Sequence, residues 1–535
     1  MSLADVDTTV SGEMELFTNP AQTSQAHTGI HTLPRELLAI VFEFYVLDTP
    51  ADSWCYPLFQ IGRLPPQFVL MKVCTFWWHF CVSLPALWRS ITIDVRPKRD
   101  ITPGSLVWNQ FAGVCKTVLE LSGSLPLEVE LLSWYLNDES VQAVSGMGLD
   151  KRVFDNDELA NRILQLVIAQ CTRWKTFGLY GCAEEPDKCN IPWTQLTKVG
   201  HRIPLLQKIA FRNLEWLSPP IVPQPNYADI LLDAPCLSFL AITSSSCSQY
   251  LNIPWSRLTT ICIDISWPES YLQFADYFSF IMTQTTARRI MCYSSGELLK
   301  DTDGIRVTYP MTENAHVKAL SLECLVLPPI RLPNLTSLNF CVGKRVAEDP
   351  FGVAQIELLL KNSRCHLQDL AIYDLAEDSD WQSIVRLCPY LNTLYSLRLY
   401  GQSPLNDQTA VTYVVEKLCD LFASPANLPN LTTLAFENIF SSPEEPQNIV
   451  HHCVFDARLA GAVWDIVKAR MLGEWSEVQW LQKFHIQLNF PGVNAVMLDA
   501  QKYVESFAAQ NIEEAGVNFK FVSNPMWSSL SVPSL

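Results

Sequence analysis

The chain has 535 residues, a formal net charge of −17 at pH 7, 48% hydrophobic residues and only 17% charged residues. A chain of this length and apolar content can bury a large core, which excludes a mainly disordered protein. The strong negative charge disfavours a phosphate-binding surface, because such a surface needs clustered Lys and Arg. We therefore expect no direct nucleic-acid partner.

Residues 1–30 are polar and acidic, and they lack the charged-then-apolar pattern of a secretory signal. They contain little that could pack in a core, so we predict a disordered leader. The seventeen cysteines follow no repeated pairing interval. We therefore expect reduced, mostly buried thiols in an intracellular protein of the cytoplasm or nucleus.

The segment 31–91 is an apolar block that predicts a small helical unit. Pro34, with Glu36 beside it, is typical of a helix start. The helix that follows carries two adjacent apolar stripes, which are Leu37, Val41 and Phe44 on one side and Leu38, Phe42 and Tyr45 on the other. We expect the unit to bury one stripe and to leave the other as a partner surface.

Three short sequences follow one another in this block, and they are Leu33-Pro34-x-Glu36-Leu37-Leu38-x-Ile40-x-Phe42, Val73-Cys74-x-x-Trp77 and Leu84-Pro85-x-Leu87-Trp88. In this order they resemble an F-box, and in particular the F-box-like proteins expanded in mushroom-forming fungi. The block differs from compact F-boxes in the long connection 47–66. It also has Thr75 where the family usually has arginine.

The resemblance implies that the block docks on the Skp-type adaptor of a cullin–RING ubiquitin ligase, and through it on a cullin. Leu84 and Trp88 would brace the block against the rest of the chain. The adaptor-binding face that the resemblance implies consists of Pro34, Leu37, Leu38, Val41, Phe42, Val73, Cys74 and Trp77.

The apolar run 68–88 has a second interpretation, a membrane span. It contains Lys72, His79 and Pro85, and its tryptophans lie in mid-run instead of at the ends where interfacial aromatic residues belong. We therefore predict buried helices here and no membrane partner.

Residues 92–154 connect the block to the rest of the chain. Alternating residues at 89–95 and 125–131 predict two strands, and 106–121 predicts a helix that ends at Ser122-Gly123-Ser124. This order also resembles the fungal family.

From about residue 155 a unit recurs. The octets PNLTSLNF at 333–340 and PNLTTLAF at 429–436 are nearly identical. The shared pattern Leu-x-x-Leu-x-Leu predicts a turn that leads into a strand. Looser copies occur at 174–179, 204–211, 235–242, 257–263, 367–372 and 394–399.

Between these strands, apolar residues at helical spacing predict helices at 157–170, 271–282, 353–362, 409–422 and 459–471. The tail predicts a strand at 484–488, a helix at 497–510 and a strand at 517–521. Strand–helix alternation predicts parallel strands with helices on one side. The interval between strands varies from roughly 20 to 50 residues, which favours irregular leucine-rich repeats. We therefore predict an α/β fold, with an N-terminal helical F-box (31–91), linking strands and a helix (92–154), and an irregular leucine-rich-repeat-like α/β solenoid with a parallel sheet (155–535).

Signatures of catalysis are absent from the sequence: we find no Gly-x-x-x-x-Gly-Lys loop, no Gly-x-Gly-x-x-Gly turn and no Gly-x-Ser-x-Gly elbow. Cys182 with Cys189, and His451-His452-Cys453, lack the further ligands that a zinc site needs, so we expect no metal and no cofactor. The acids Asp374, Glu377, Asp378 and Asp380 favour a solvated loop.

We therefore expect a substrate receptor of an SCF-type ubiquitin ligase and not an enzyme, with the repeats binding an unknown protein substrate. One alternative is a non-catalytic repeat scaffold whose F-box-like helices only cap the solenoid. Another is an enzyme whose site is assembled from residues distant in sequence.

Overall fold

A computed structural model gives the fold of the chain. The residues that it describes are 33–47, 58–60, 65–94, 106–134, 152–181, 193–200, 202–212, 231–243, 252–265, 271–294, 310–323, 327–341, 352–375, 384, 386–401, 428–437 and 483–487. The predicted leader, residues 1–30, lies outside this part of the chain, as do the predicted helices 409–422 and 459–471.

Three short helices come first, α1 (Arg35–Leu47), α2 (Pro66–Met71) and α3 (Thr75–Val82), and a 3-10 turn (Pro85–Trp88) follows them. We call these four elements the helical module. The apolar run 68–88 is thus divided among α2, α3 and the turn. Among the described residues, no helix combines the length and the apolar character that crossing a bilayer requires.

Sixteen short strands occur in the described residues. In chain order they are β1 (Leu58–Gln60), β2 (Ser90–Asp94), β3 (Leu127–Trp134), β4 (Trp174–Gly181), β5 (Lys208–Arg212), β6 (Phe239–Thr243), β7 (Thr260–Ile265), β8 (Arg289–Ser294), β9 (Thr312–Glu313), β10 (Ala319–Glu323), β11 (Ile330–Arg331), β12 (Ser337–Cys341), β13 (Asp369–Leu375), β14 (Ser396–Gly401), β15 (Thr433–Glu437) and β16 (Lys483–Gln487).

Fourteen of these strands form one sheet, in which the spatial order follows the order in the chain. Every neighbouring pair is parallel. The remaining two strands, β9 and β11, form a small parallel pair of their own. The expected α/β fold with a large parallel sheet is confirmed.

Five further helices are described, α4 (Leu106–Leu121), α5 (Arg152–Ile168), α6 (Trp193–Leu196), α7 (Tyr271–Gln284) and α8 (Gly352–Ser363). Four of them confirm the helices predicted at 106–121, 157–170, 271–282 and 353–362. Their apolar sides join one core with the strands, for example through Ile163, Phe278 and Ile356, each fully buried.

The core side of the sheet is built from two rows of side chains in register. Leu338, Leu370 and Leu397 of β12, β13 and β14 lie side by side in the first row, and all are buried. Phe340, Ile372 and Leu399 form the second row two residues further on. Because side chains of a strand alternate between faces, the intervening residues form the opposite side of the sheet, which we call the inner face.

The recurring PNLT sequence has a structural cause. In the copy at 333–340, Asn334 Nδ2 donates to the carbonyl of Ala315, 2.7 Å away, and Thr336 Oγ1 donates to that of Lys318 at 3.1 Å. In the copy at 429–436, Asn430 and Thr432 donate in the same way to Asn392 and Tyr395. The leucine between them is buried in both copies. Each octet therefore bonds its own turn to that of the preceding strand.

All eight Leu-x-x-Leu-x-Leu copies lead into strands, and β2 and β3 confirm the two strands predicted before residue 155. The pattern missed β8 and β10, because Ala287 and Val317 stand where most copies have the first leucine, three residues before the buried Ile290 and Leu320. Residues 484–488 overlap β16, whereas the rest of the predicted tail lies outside the described residues.

Burial accounts for the described cysteines. All ten are free thiols, and seven of them are buried. Burial raises the pKa of Cys81 and of Cys115 to about 12, which keeps both protonated and unreactive at neutral pH. This agrees with the expectation of reduced, mostly buried thiols.

The register can be tested with two leucines of opposite burial. Leu338→Ala should lower the free energy of unfolding by about 2–5 kcal/mol, because it opens a cavity in the core. Leu358 on α8 is 54% exposed, so Leu358→Ala should change stability by less than about 0.5 kcal/mol. Urea unfolding followed by circular dichroism measures both variants, and equal losses would contradict the described core.

Candidate functional site

Helix α1 has two apolar sides of opposite fate. Leu38 and Phe42 are 0% and 1% exposed and join the core. Leu37, Val41 and Phe44 are 49%, 44% and 66% exposed. The first predicted stripe therefore faces solvent, and Leu38 and Phe42 of the second are buried, as expected for one stripe of the two. Tyr45, the third residue of the second stripe, is 45% exposed and does not join the core. An exposed apolar stripe of this kind is typical of a surface that a partner covers.

The buried stripe of α1 packs on aromatic side chains of α3. The Phe42 ring lies 4.7 Å from the Trp77 ring and 5.4 Å from the Phe80 ring, in tilted and edge-on arrangements. Such geometries are favourable between aromatic rings in a core. This packing fixes α1 so that its other side must face outward.

The Val-Cys-x-x-Trp sequence is a helix start. Cys74 precedes α3 in an extended conformation, and its Sγ accepts a hydrogen bond from the backbone N–H of Trp77 at 3.5 Å. Its carbonyl accepts from Trp78 N at 2.9 Å. A side-chain acceptor at this position satisfies one of the unpaired N–H groups of the first helical turn. Cys74 thus caps the helix through the backbone of residue 77, whereas the Trp77 side chain packs on Phe42.

The Leu-Pro-x-Leu-Trp sequence forms the 3-10 turn that leads into β2. Gln67 Nε2 of α2 donates to the carbonyl of Leu87 at 3.1 Å. Trp88 Nε1 donates to the carbonyl of Cys81, at the end of α3, at 2.9 Å, and the Trp88 ring meets Phe68 edge-on. The fully buried Trp88 therefore joins α2, α3 and the start of the sheet, which fits its expected bracing role.

Four of the eight residues of the predicted adaptor-binding face are exposed in the structure. Pro34 lies just before α1, and its carbonyl accepts from Leu38 N at 3.0 Å. Leu37 and Val41 belong to the exposed stripe, and Val73 is 56% exposed between α2 and α3. These four side chains remain available to a partner.

The other four predicted residues have internal roles. Leu38 and Phe42 are buried in the core, and their place in the predicted face is corrected on that ground. Cys74 caps α3, and the partly buried Trp77 packs on Phe42. These residues shape the module and support its exposed side from below.

The predicted face also omitted side chains that the structure exposes. Ile40, Phe44 and Tyr45 of α1 are 62%, 66% and 45% exposed, and on the neighbouring helices Val69, Phe76 and Trp78 are exposed as well. Helical spacing could have found Ile40, because positions 37, 40, 41 and 44 share one side of a helix. The exposure of Phe76 and Trp78 depends on how α3 packs, and the sequence pattern does not specify that. We call the side formed by Leu37, Ile40, Val41 and Phe44 the docking stripe.

The helical module is built into the sheet. Strand β1 pairs in parallel with β2, Leu58 opposite Thr92 and Gln60 opposite Asp94. Helices α2 and α3 lie between these strands in the chain, so they form the crossover of a strand–helix–strand unit. The unexplained connection 47–66 thereby contributes the first strand. The helical module is therefore fixed at one end of the sheet.

A group of buried and half-buried polar side chains lies on the inner face near this end. Glu130 of β3 is 8% exposed; it accepts hydrogen bonds from Tyr180 at 3.2 Å and Thr92 at 3.4 Å. Burial raises the pKa of Glu130 to about 7, against these bonds and the charge of Arg212. A carboxyl that titrates near neutral pH in a buried network is a candidate functional group as well as a structural one.

Glu128 lies two residues earlier on the same face, and its pKa is shifted in the opposite direction, downward. Lys175 Nζ donates to it at 2.6 Å and Ser90 Oγ at 3.0 Å. Although burial alone would raise the pKa of Glu128, the hydrogen bond and charge of Lys175, with smaller contributions from Ser90 and Arg89, lower it overall. Glu128 therefore remains a carboxylate at neutral pH while Glu130 titrates.

Within the ranges that the structure covers, no three His, Cys, Asp or Glu side chains are arranged to hold a metal ion. The two sequence candidates, Cys182 with Cys189 and His451-His452-Cys453, lie outside those ranges, as do the acids 377–380.

Comparisons with known proteins do not name a family for this chain. No protein-family model matches it, and no curated protein is similar to it.

The titration of Glu130 should appear in the stability of the protein. Its pKa is higher in the folded state than the ordinary 4.5, so the folded state binds the additional proton and stability falls as pH rises from about 4.5 to about 7. The decline amounts to roughly 3 kcal/mol. Glu130→Gln should remove this part of the decline in urea unfolding measured from about pH 5 to about pH 8.

The matched control is Glu120→Gln, since Glu120 is an exposed glutamate of α4. That variant should keep the wild-type decline. If wild type and Glu130→Gln lose stability in parallel over this range, Glu130 does not titrate as its surroundings imply.

Proposed function

We propose that the chain is a substrate receptor of an SCF-type ubiquitin ligase. In this proposal the helical module is an F-box that docks on the Skp-type adaptor, and through it on a cullin. The sheet and its helices are a divergent leucine-rich-repeat domain that binds a protein substrate.

The observation that carries the proposal is the docking stripe. Leu37, Val41 and Phe44 are about half exposed or more, on a helix whose opposite side is locked into the core by Phe42. Leaving several large apolar side chains together in water is unfavourable, at about 25 cal/mol per Å² of apolar surface. A partner that covers them with an apolar groove would recover this free energy.

The way the module joins the sheet supports the same function. A receptor raises the rate of ubiquitin transfer by holding its substrate near the ligase. This requires a fixed distance and orientation between the docking surface and the substrate-binding surface. Pairing of β1 with β2 and the buried Trp88 supply rigid joints between docking helices and sheet. The chain would then contribute positioning, and the bond-making residues would belong to the other ligase subunits.

The alternative is a non-catalytic repeat scaffold in which the helical module only caps the end of the sheet. The burial of Leu38 and Phe42 and the packing of Phe68 on Trp88 favour a capping contribution. A cap alone, however, gives no reason for an apolar stripe on the outer side of α1.

Introducing negative charge into the docking stripe distinguishes the ligase receptor from the capping scaffold. Leu37→Asp with Val41→Asp should weaken adaptor binding by about 100-fold or more, because two carboxylates would enter an apolar interface. The variant should keep its circular dichroism spectrum, since both side chains face solvent. Co-purification of the full chain with the adaptor at micromolar concentration measures retention.

The control places the same two charges on exposed leucines elsewhere, Leu205→Asp with Leu358→Asp. This variant should retain the adaptor as wild type does. If wild type never retains the adaptor, the ligase proposal fails. An unfolded Leu37→Asp, Val41→Asp variant would favour the capping alternative.

A further inference from the structure

In the middle of the sheet, exposed cations lie on the inner face and at the edge where the strands begin, although the chain as a whole has a net charge of −17. Lys208 of β5, Arg289 of β8 and the residues directly before β8 and β10, Arg288 and Lys318, are all exposed. Lys318 N donates to the carbonyl of Arg288 at 2.8 Å, so these two residues lie side by side at the same edge of the sheet.

Among the residues that the structure describes, these four cations have no acidic partner. The ion pairs found in the described part of the chain join Lys116 to Glu120, Lys175 to Glu128 and Arg331 to Glu313, and none of them involves the four cations. The carboxylates Glu128 and Glu130 of the same face are engaged by Lys175 and by Tyr180 and Thr92. Within the described part of the chain, the positive charges of Lys208, Arg288, Arg289 and Lys318 therefore remain without an acidic partner.

The register places two of the cations on one line across the sheet. Lys208 lies opposite Phe239, Phe239 opposite Thr260, and Thr260 opposite Arg289. The ammonium of Lys208 is 5.9 Å from the centre of the half-buried Phe239 ring. Three steps between strands separate the backbones of Lys208 and Arg289, which is about 14 Å.

An extended chain advances about 3.4 Å per residue and points alternate side chains to one side. Carboxylates at positions i and i+4 of such a segment would therefore be about 14 Å apart and face the same way. The acids at positions i and i+4 would thus meet Lys208 and Arg289. The side chain at i+2 would also face the sheet, and an apolar side chain there would lie between the Phe239 ring and the Thr260 hydroxyl.

We propose that the line Lys208–Phe239–Thr260–Arg289, with Arg288 and Lys318 beside it, binds an extended acidic segment of a partner protein with the pattern Glu/Asp-x-apolar-x-Glu/Asp. This proposal deepens the proposed function by naming the class of substrate, and it rests on that function only for what happens to the bound protein. The cluster is short and local, whereas nucleic-acid binding needs a longer run of positive charge.

The test uses the purified full chain without any adaptor and a fluorescent synthetic peptide, Ser-Glu-Ser-Leu-Ser-Glu-Ser. A second peptide of the same composition, Ser-Glu-Ser-Leu-Glu-Ser-Ser, moves one glutamate to the opposite side of an extended chain. Fluorescence polarisation should show saturable binding of the first peptide, and binding of the second that is about fivefold weaker or more. Added salt should weaken binding, since exposed charges are screened.

Charge reversal identifies the surface. Lys208→Glu with Arg289→Glu should weaken binding of the first peptide by about tenfold or more. The control, Arg162→Glu with Lys361→Glu, makes the same change in net charge on exposed residues of α5 and α8 and should leave binding unchanged. Circular dichroism checks that both variants are folded.

Three results would overturn the proposal. They are no saturable binding of the first peptide to wild type, equal weakening by both charge-reversal variants, and tighter binding of a single-stranded oligonucleotide that Lys208→Glu with Arg289→Glu also abolishes. Because no adaptor is present, the peptide result is independent of whether the docking stripe recruits a ligase.

Discussion

The parallel pairing of strands in chain order is the constraint on which the rest of the structure depends. Within the fourteen-stranded sheet, each inner strand pairs with the sheet strand before it and the sheet strand after it in the chain, so each connection must return the chain to the same edge of the sheet. Asn334 and Thr336 show how this is done, because both bond the preceding turn. Buried leucines such as Leu338 and Leu370 then stack in register.

This stacking also determines where function can lie. Helices pack on the core side of the sheet, so the surfaces left for partners are the inner face and the outer sides of the helices, among them that of α1. A stack in which each unit contacts its neighbours transmits position along its length. The docking stripe therefore lies at one end of this stack, and the cations around Arg289 lie on its central strands.

The helical module and the unit formed by α5 and β4 share the same hydrogen bond where a helix is followed by a strand. Trp88 Nε1 donates to the carbonyl seven residues before it, at the end of α3, and Trp174 Nε1 donates to that of Val167, also seven residues before it, at the end of α5. Both tryptophans are buried where a helix gives way to a strand. Gly123, with a φ of 58°, closes α4 beside Pro85. The module is thus integrated with the sheet.

Much of this fold could be predicted from the sequence, because its signals are local. The octets at 333–340 and 429–436 mark turns and strands, and helical spacing identifies α4, α5, α7 and α8. The strand β8 was missed because Ala287 stands where most copies have the first leucine, three residues before the buried Ile290. Arg288 and Arg289 occupy the two variable positions that follow, and they supply part of the cationic surface. That α1 has one buried and one exposed stripe was predicted, but not which stripe is which. The sequence could not decide that Leu38 and Phe42 form the buried one, since that depends on Trp77 and Phe80 of α3.

The central claim is that the outer side of α1 is a docking surface held rigidly on a folded sheet. Hydrogen–deuterium exchange of the full chain, with and without the Skp-type adaptor, tests it most directly. We predict slower exchange on adding the adaptor in peptides that cover Arg35–Leu47 and Thr75–Val82, and no change in the central strands such as Ser337–Cys341. No slowing in the two helices, or slowing that is confined to the strands, would contradict this account.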